Sequence, residues 1–175
     1  MPDIIYDVAV SADGYICGPD AEVSGFATQG PHVDAYTARL ATYGTVLMGR
    51  RTYEFGYAYG LPAGANPYPR AKTWVFSTTL VLPADAAVSA VRDTWQDRIA
   101  ALKAQAVAPI YLCGGGAFAG WMLDRGLIDR LRLKRAPVIL GGGVSIFGAS
   151  KTPVIGEVTA SRTWANGVAY AEICL

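Results

Sequence analysis

The chain has 175 residues, 52% of them apolar, with 15 basic against 14 acidic side chains and a net charge of +1. Such a chain is expected to form one domain over residues 1–175 with a substantial core. Its near-zero charge gives no global field for nucleic acid or an acidic membrane and excludes both as first readings of function. No apolar run approaches the roughly 18 residues of a membrane span, and Asp3 stands where a signal peptide would be basic, so a cytoplasmic protein is expected. Cys17, Cys113 and Cys174 are odd in number and far apart. They read as reduced, mostly buried thiols, and no metal site is expected.

Ile4 to Val10 is a short apolar strand, followed by a polar turn, Ser11-Ala12-Asp13-Gly14, that returns to Tyr15 and Ile16. Asp13-Gly14 reads either as a plain hairpin turn or as part of a covered site. Gly18 to Gly30 has the composition of a loop, a mobile surface or a lid. Pro31, then Val33, Tyr36, Leu40 and Tyr43 at helical spacing, and Gly44 as a stop predict a helix. Thr45 to Met48 is a second buried strand that turns at Gly49 into another helix start, Arg50-Arg51-Thr52. Two arginines there supply planar forks for phosphate and Thr52 a cap or an anion ligand, although an adjacent arginine pair is equally at home as a solvated surface.

Residues 56 to 70, rich in Gly, Pro and Tyr, are a long irregular loop of the sort that lines sites. Lys72 to Phe76 is a third strand ending in Ser77-Thr78-Thr79, hydroxyls that suit a turn or a ligand at a strand's carboxyl end. Val88 to Val91 reads as a short strand. A helix follows with Trp95, Ile99, Leu102 and Ala106 on one face.

Pro109 to Leu123 organises the rest: a β-rich run enters Gly114-Gly115-Gly116, and an apolar helix begins at once. Backbone without Cβ atoms can approach a phosphate and point N–H groups at it. Tight packing is the plain alternative. A Rossmann fingerprint is disfavoured, because the run lies past the middle of the chain and the next strand ends without an acid. Leu131 to Leu140 is that strand, with Arg130, Arg132 and Lys134 on a wet or partner-facing side. Gly141 to Gly143 follow, and an Asn166-Gly167 turn joins two closing strands. Strands alternating with helices, then consecutive strands, describe an α/β protein with a mainly parallel sheet and an antiparallel C-terminal edge.

The segments Ser11 to Ile16, Val46 to Glu54, Leu112 to Gly116, Leu127 to Asp129 and Pro137 to Gly143 together resemble the reductase domain of riboflavin biosynthesis, the RibD C-terminal type, within the dihydrofolate reductase-like fold. The resemblance spans about residues 4 to 173 and implies NADPH. It implies that Gly49, Arg50, Arg51 and Thr52 hold phosphates and that Ser77, Thr78 and Thr79 lie near the 2′-phosphate. Gly114, Gly115, Gly116, Ala117 and Phe118 would take the pyrophosphate, with a cis Gly114-Gly115 bond. Ala117 departs from dihydrofolate reductases, which often carry a basic residue there. The nicotinamide would lie near Ala9 and Ile16, and the substrate near Tyr15, Asp34, Tyr57 and Gly141. Asp34 is the expected acid, beside the Val33 that simple spacing selects. His32 reads as a polar loop residue.

The implied activity is NADPH-dependent reduction of a small heterocycle such as a pyrimidine, pterin or folate. A binding module that keeps the fold without turnover is the alternative. No zinc-ligand motif of a fused deaminase is present, which lowers the riboflavin role. A homodimer is expected through open strand edges at the C-terminal end of the sheet.

Overall fold

Ile4–Val10 forms β1, the strand on which the architecture centres in this computed structural model of residues 1–175. It is followed by β2 (Tyr15–Cys17), α1 (Pro31–Leu40), β3 (Thr45–Gly49) and α2 (Arg50–Phe55), which runs into a 3₁₀ turn at Gly56–Tyr59. Next come β4 (Lys72–Phe76), β5 (Ser89–Val91), α3 (Trp95–Gln105), β6 (Ile110–Gly114) and α4 (Gly116–Leu123). The chain closes with β7 (Arg130–Arg135), β8 (Val144–Ser145), β9 (Glu157–Thr163) and β10 (Ala169–Cys174).

Eight strands make one sheet in the order β5-β4-β3-β6-β1-β7-β10-β9, and β2 pairs with β8 apart from it. From β5 to β7 every pairing is parallel, and β10 and β9 add the antiparallel edge. The central strands are covered on both faces, which is why they read as continuous apolar runs. Ile4, Tyr6, Leu47, Phe76 and Leu112 pack one face against Ile99 of α3 and Phe118 and Met122 of α4. Ile5, Val46, Met48, Val75 and Tyr111 pack the other against Tyr43 and Tyr53, with Tyr36 and Leu40 of α1 alongside. Each such fully buried side chain contributes about 1.5–3 kcal/mol of transfer free energy.

Two boundaries differ from the sequence expectation. α1 stops at Leu40, because the Thr42 amide and hydroxyl both turn back onto the Arg39 carbonyl, so Tyr43 enters the core from the turn after the helix. β7 stops at Arg135 instead of reaching Leu140. The Ala136 amide still donates to the Val10 carbonyl, but Pro137 has no N–H to offer a ladder. The chain then bends back over the turn after β1: Ala12 N–H donates to the Val138 carbonyl, and the Leu140 and Gly141 amides donate to the Asp13 carboxylate. Asp13 therefore clasps a second loop, which is more than a hairpin turn requires. β7 is also interior, between β1 and β10, so the open edge belongs to β9 alone at this end, with all seven of its residues exposed. Cys17 and Cys113 are half-buried, whereas Cys174 is exposed, contrary to its expected burial.

Candidate functional site

Because β4, β3, β6, β1 and β7 run parallel, their carboxyl ends form one rim, where open α/β sheets take ligands. On that rim the glycines after β3 and β6 meet. Gly49 precedes α2 and lies so close to α4 that a Cβ on it would stand 3.2 Å from Phe118 Cβ. The Gly114–Gly115 peptide is cis, and Gly114 has φ +111°, a region that favours glycine. A Cβ on Gly115 would lie 2.9 Å from Thr52 Oγ1. The first turn of α2 and the entry to α4 thus share one small cradle.

Arg50 Nη1 donates to Thr79 Oγ1 at 2.8 Å and its Nε lies 3.5 Å from Glu54, so the β3 and β4 rims are tied together. Arg51 is exposed and has no ion pair, and Thr78 is exposed beside Thr79. Three expected cofactor contacts have other duties. Ser77 Oγ accepts the Thr79 and Leu80 amides and closes the turn after β4. Gly116 faces away from the cradle, since a Cβ there would fall 2.1 Å from the Ser145 carbonyl oxygen. The Phe118 ring is buried among Phe76, Trp95 and Trp121, which makes it core. Ala117 is exposed on the first turn of α4.

Beside the cradle lies a cavity of about 480 Å³ with a mainly apolar lining. Ala9 and Ile16 form its near wall, Val33 and Tyr36 of α1 another, and Tyr111 and Cys113 of β6 its floor, with Phe26, Ala27 and Thr28 from the long loop closing over it. Ile16 also lies 3.8 Å from the Cβ position of Gly115, so one side chain borders both cradle and cavity.

The cavity's polar wall is Asp7 and Lys134. Asp7 is 1% exposed, and its two oxygens accept from Lys134 Nζ at 2.5 Å, Arg39 Nε at 2.7 Å, Arg39 Nη2 at 3.3 Å and Tyr43 OH at 3.2 Å. Burial pushes the Asp7 carboxyl up, but Lys134 and Arg39 outweigh it and hold the group below the usual carboxylate range. Burial pulls the Lys134 ammonium below the ordinary lysine value against the opposing pull of Asp7. The basic side of β7 is therefore paired, not a solvated face: Arg130 and Arg132 both reach Glu172, and Arg130 also reaches Asp3. Sequence reasoning passed over Asp7 and set Lys134 on a wet or partner-facing side, whereas both are buried. The signal was one acid inside Ile4-Ile5-Tyr6-Asp7-Val8, a run otherwise fit for full burial, which demands a buried cationic partner.

The expected substrate residues do not converge on this cavity. Asp34 is exposed and lines a separate cavity of about 730 Å³ on the other side of α1, where Thr37 and Tyr68 also face, because the neighbouring Val33 takes the inward position. Tyr15 is held in β2 opposite Ser145, Tyr57 packs edge-on to Tyr53, and the Gly141 amide is committed to Asp13. His32 is a buried helical residue with both ring nitrogens engaged, Nδ1 with the Asn166 amide at 3.0 Å and Nε2 with the Ala27 carbonyl at 3.3 Å. It joins the closing loop to the last hairpin.

Comparison with known proteins agrees with this fold. The sequence pattern of the family described as RibD C-terminal domain matches residues 2–170. The uncharacterized protein YyaP of Bacillus subtilis (strain 168) is 29% identical over 174 residues, covering 94% of this chain and 90% of YyaP. A solved structure from Shewanella sp. PV-4, of a protein named for riboflavin biosynthesis, superposes with TM-score 0.84 at 24% identity over 98% of each chain. A diaminohydroxyphosphoribosylaminopyrimidine deaminase/5-amino-6-(5-phosphoribosylamino)uracil reductase of Thermotoga maritima superposes with TM-score 0.72 at 14% identity, covering 99% of this chain and 56% of that one. These likenesses give the fold, a dihydrofolate reductase-like α/β sheet of the reductase type.

Proposed function

We propose, from the premise that the chain belongs to the RibD C-terminal domain family, that it is an NADPH-dependent reductase of a small planar heterocycle. The observation that carries this reading is the position of Ile16, shared between a glycine cradle and an apolar cavity. A two-part ligand with phosphates at one end and a flat ring at the other suits that arrangement.

The residues fit the dinucleotide. The cradle over Gly115 would be filled by a single Cβ, so it admits backbone-close groups only, and Thr52 Oγ1 beside it makes no hydrogen bond within the protein. Arg51 is an unpaired cation at the same rim, and Arg50 with Thr79 offers a charged donor and a hydroxyl for a terminal phosphate. When bound, the reduced nicotinamide supplies a hydride. The chain's part is to hold the phosphates through Gly49, Thr52, Gly114 and Gly115, to set the ring against Ala9 and Ile16, and to exclude water with the 26–28 loop.

A second reading, a nucleotide-binding module without turnover, rests on Asp7. The only acid at the cavity already accepts four hydrogen bonds and has no proton to give. Oxidation of NADPH in the presence of dihydrofolate, pterins, the ribosylaminopyrimidine phosphate, flavins and simple quinones separates the two. Turnover of at least one of these is the expected result, and NADPH binding with silence across the panel would favour the module.

A further inference from the structure

An ammonium carries three N–H donors. Lys134 is 6% exposed and lines the cavity, yet only Asp7 Oδ1 accepts from its Nζ within the protein. A second direction is occupied by the Tyr36 ring, whose centroid lies 3.8 Å from Nζ. The remaining donor has no protein partner, and a buried donor left unmade is destabilising, the more so when charged. The Asp7 carboxylate does not compete for a ligand, since its four acceptor positions are filled. Counting charges, Asp7 faces Lys134 and Arg39, so the cluster carries a surplus of one positive charge behind an otherwise apolar wall.

The other titratable groups around it do not cancel this charge. Tyr36 of α1, Tyr111 and Cys113 of β6 all have their ionisation pushed up by burial, and Tyr170 of β10 is pushed up to about 12, so they are neutral near pH 7. His32 is engaged on both nitrogens. Opposite the ammonium stand aromatic and aliphatic surfaces, Tyr36, Tyr111, Val33 and Ile16.

We propose that Lys134 is the binding residue for one ring-borne oxygen of the substrate, a carbonyl conjugated to the ring or its oxyanion, and that the cavity selects planar rings of this kind and rejects phosphate-bearing ones. This rests on the cavity being the substrate side of the reductase site. One partly matched ammonium suits a single oxygen carrying up to one negative charge, and no second cation lines the cavity to neutralise a dianionic phosphate. Asp7 and Arg39 are positioning residues that hold the ammonium in place.

The test uses 4-nitrophenol and nitrobenzene, the same ring with and without the oxygen, titrated into the whole chain without nucleotide. Calorimetry reads affinity and phenolate absorbance reads ionisation of the bound probe. In the wild type, 4-nitrophenolate binds at least about tenfold more tightly than nitrobenzene, and bound 4-nitrophenol ionises about one pH unit or more below the free compound, which corresponds to about tenfold tighter binding of the phenolate than of the neutral phenol. Lys134→Met abolishes both differences. Should that variant not fold, Asp7→Asn/Lys134→Met, which removes the carboxylate together with the ammonium, gives the same loss. The wild-type ionisation shift stands as a test without any variant. Equal affinity for the two probes, an unshifted ionisation, a shift that survives Lys134→Met, or displacement of the probe by equimolar inorganic phosphate would each overturn the proposal. Nucleotide is absent throughout, so failure here leaves the NADPH reading intact, and failure of NADPH binding leaves this result intact.

Discussion

Gly115 and Thr52 share one point of contact: the Cβ that any other residue would place on Gly115 stands 2.9 Å from Thr52 Oγ1. Gly115 has φ −77°, outside the left-handed region, so the need for glycine at this position is one of space.

Gly115→Ala is therefore expected to act on the cradle more than on the fold. A methyl at this position pushes the Thr52 hydroxyl out of place and closes the approach to the Gly114–Gly115 backbone. NADPH affinity should fall at least about tenfold in calorimetry, with a change in Tm of only a few degrees. Thr52→Ala on top of Gly115→Ala removes the clash, and the double variant should recover part of the fold-side loss but not the lost hydroxyl contact. Additive effects of the two changes on stability would contradict a direct contact.

Acid stability follows from Asp7. Its folded-state ionisation lies below the ordinary carboxylate value because Lys134 and Arg39 outweigh burial. A lowered folded value means that the stabilisation is complete above the unfolded-state value, about 3.9, and is lost as the pH falls through the folded one. Glu172, also lowered, acts in the same window. The lowered Lys134 value has the opposite sense: the cost it carries is relieved as the pH rises from the folded value towards the ordinary lysine range. Denaturant titrations from pH 7 downward should show stability falling below roughly pH 4. In Asp7→Asn the neutral-pH stability drops and the acid slope flattens but does not vanish. An unchanged slope in that variant would remove Asp7 from the account.

Much of the sheet was legible because its strands are buried on both faces. Thr45 to Met48 and Lys72 to Phe76 leave no other use for such short apolar runs, and Pro31 marks the start of α1 by backbone chemistry. The end of β7 was not legible. Pro137 was visible, but what carries the chain off the sheet is the Asp13 carboxylate more than 120 residues away, and no local pattern reports a partner that distant. The glycines show the same limit. Gly114, Gly115 and Gly116 look alike in sequence, yet one serves a positive φ, one the Thr52 contact and one the packing of Ser145. Spacing counted back from Gly49 under the family resemblance also places the expected acid only to within a residue, at Val33 or Asp34, and one residue turns a side chain by about 100° on a helix. That rotation separates a cavity wall from an exposed acid.

Assembly is the least local property. β9 is an open edge with Val158 exposed and Ile155 nearly fully so just before it. An uncovered edge pairs readily with another, and a homodimer through two β9 strands is the expected state. Light scattering at micromolar concentration should give twice the chain mass, and Val158→Lys should give the single mass. A monomeric wild type would contradict the edge pairing.

The central claim, that the rim of β3, β4 and β6 takes a 2′-phosphorylated dinucleotide, is tested most directly by calorimetric titration of the wild-type chain with NADPH and NADH in the same buffer. Arg50, Arg51, Thr78 and Thr79 are the residues proposed to take the 2′-phosphate, and a charge-assisted bond there is worth about 1.5–3 kcal/mol. The account predicts NADPH binding at least about tenfold tighter than NADH, with the difference lost in Arg50→Ala/Arg51→Ala. Equal affinity for the two nucleotides, or no binding of either, would contradict it.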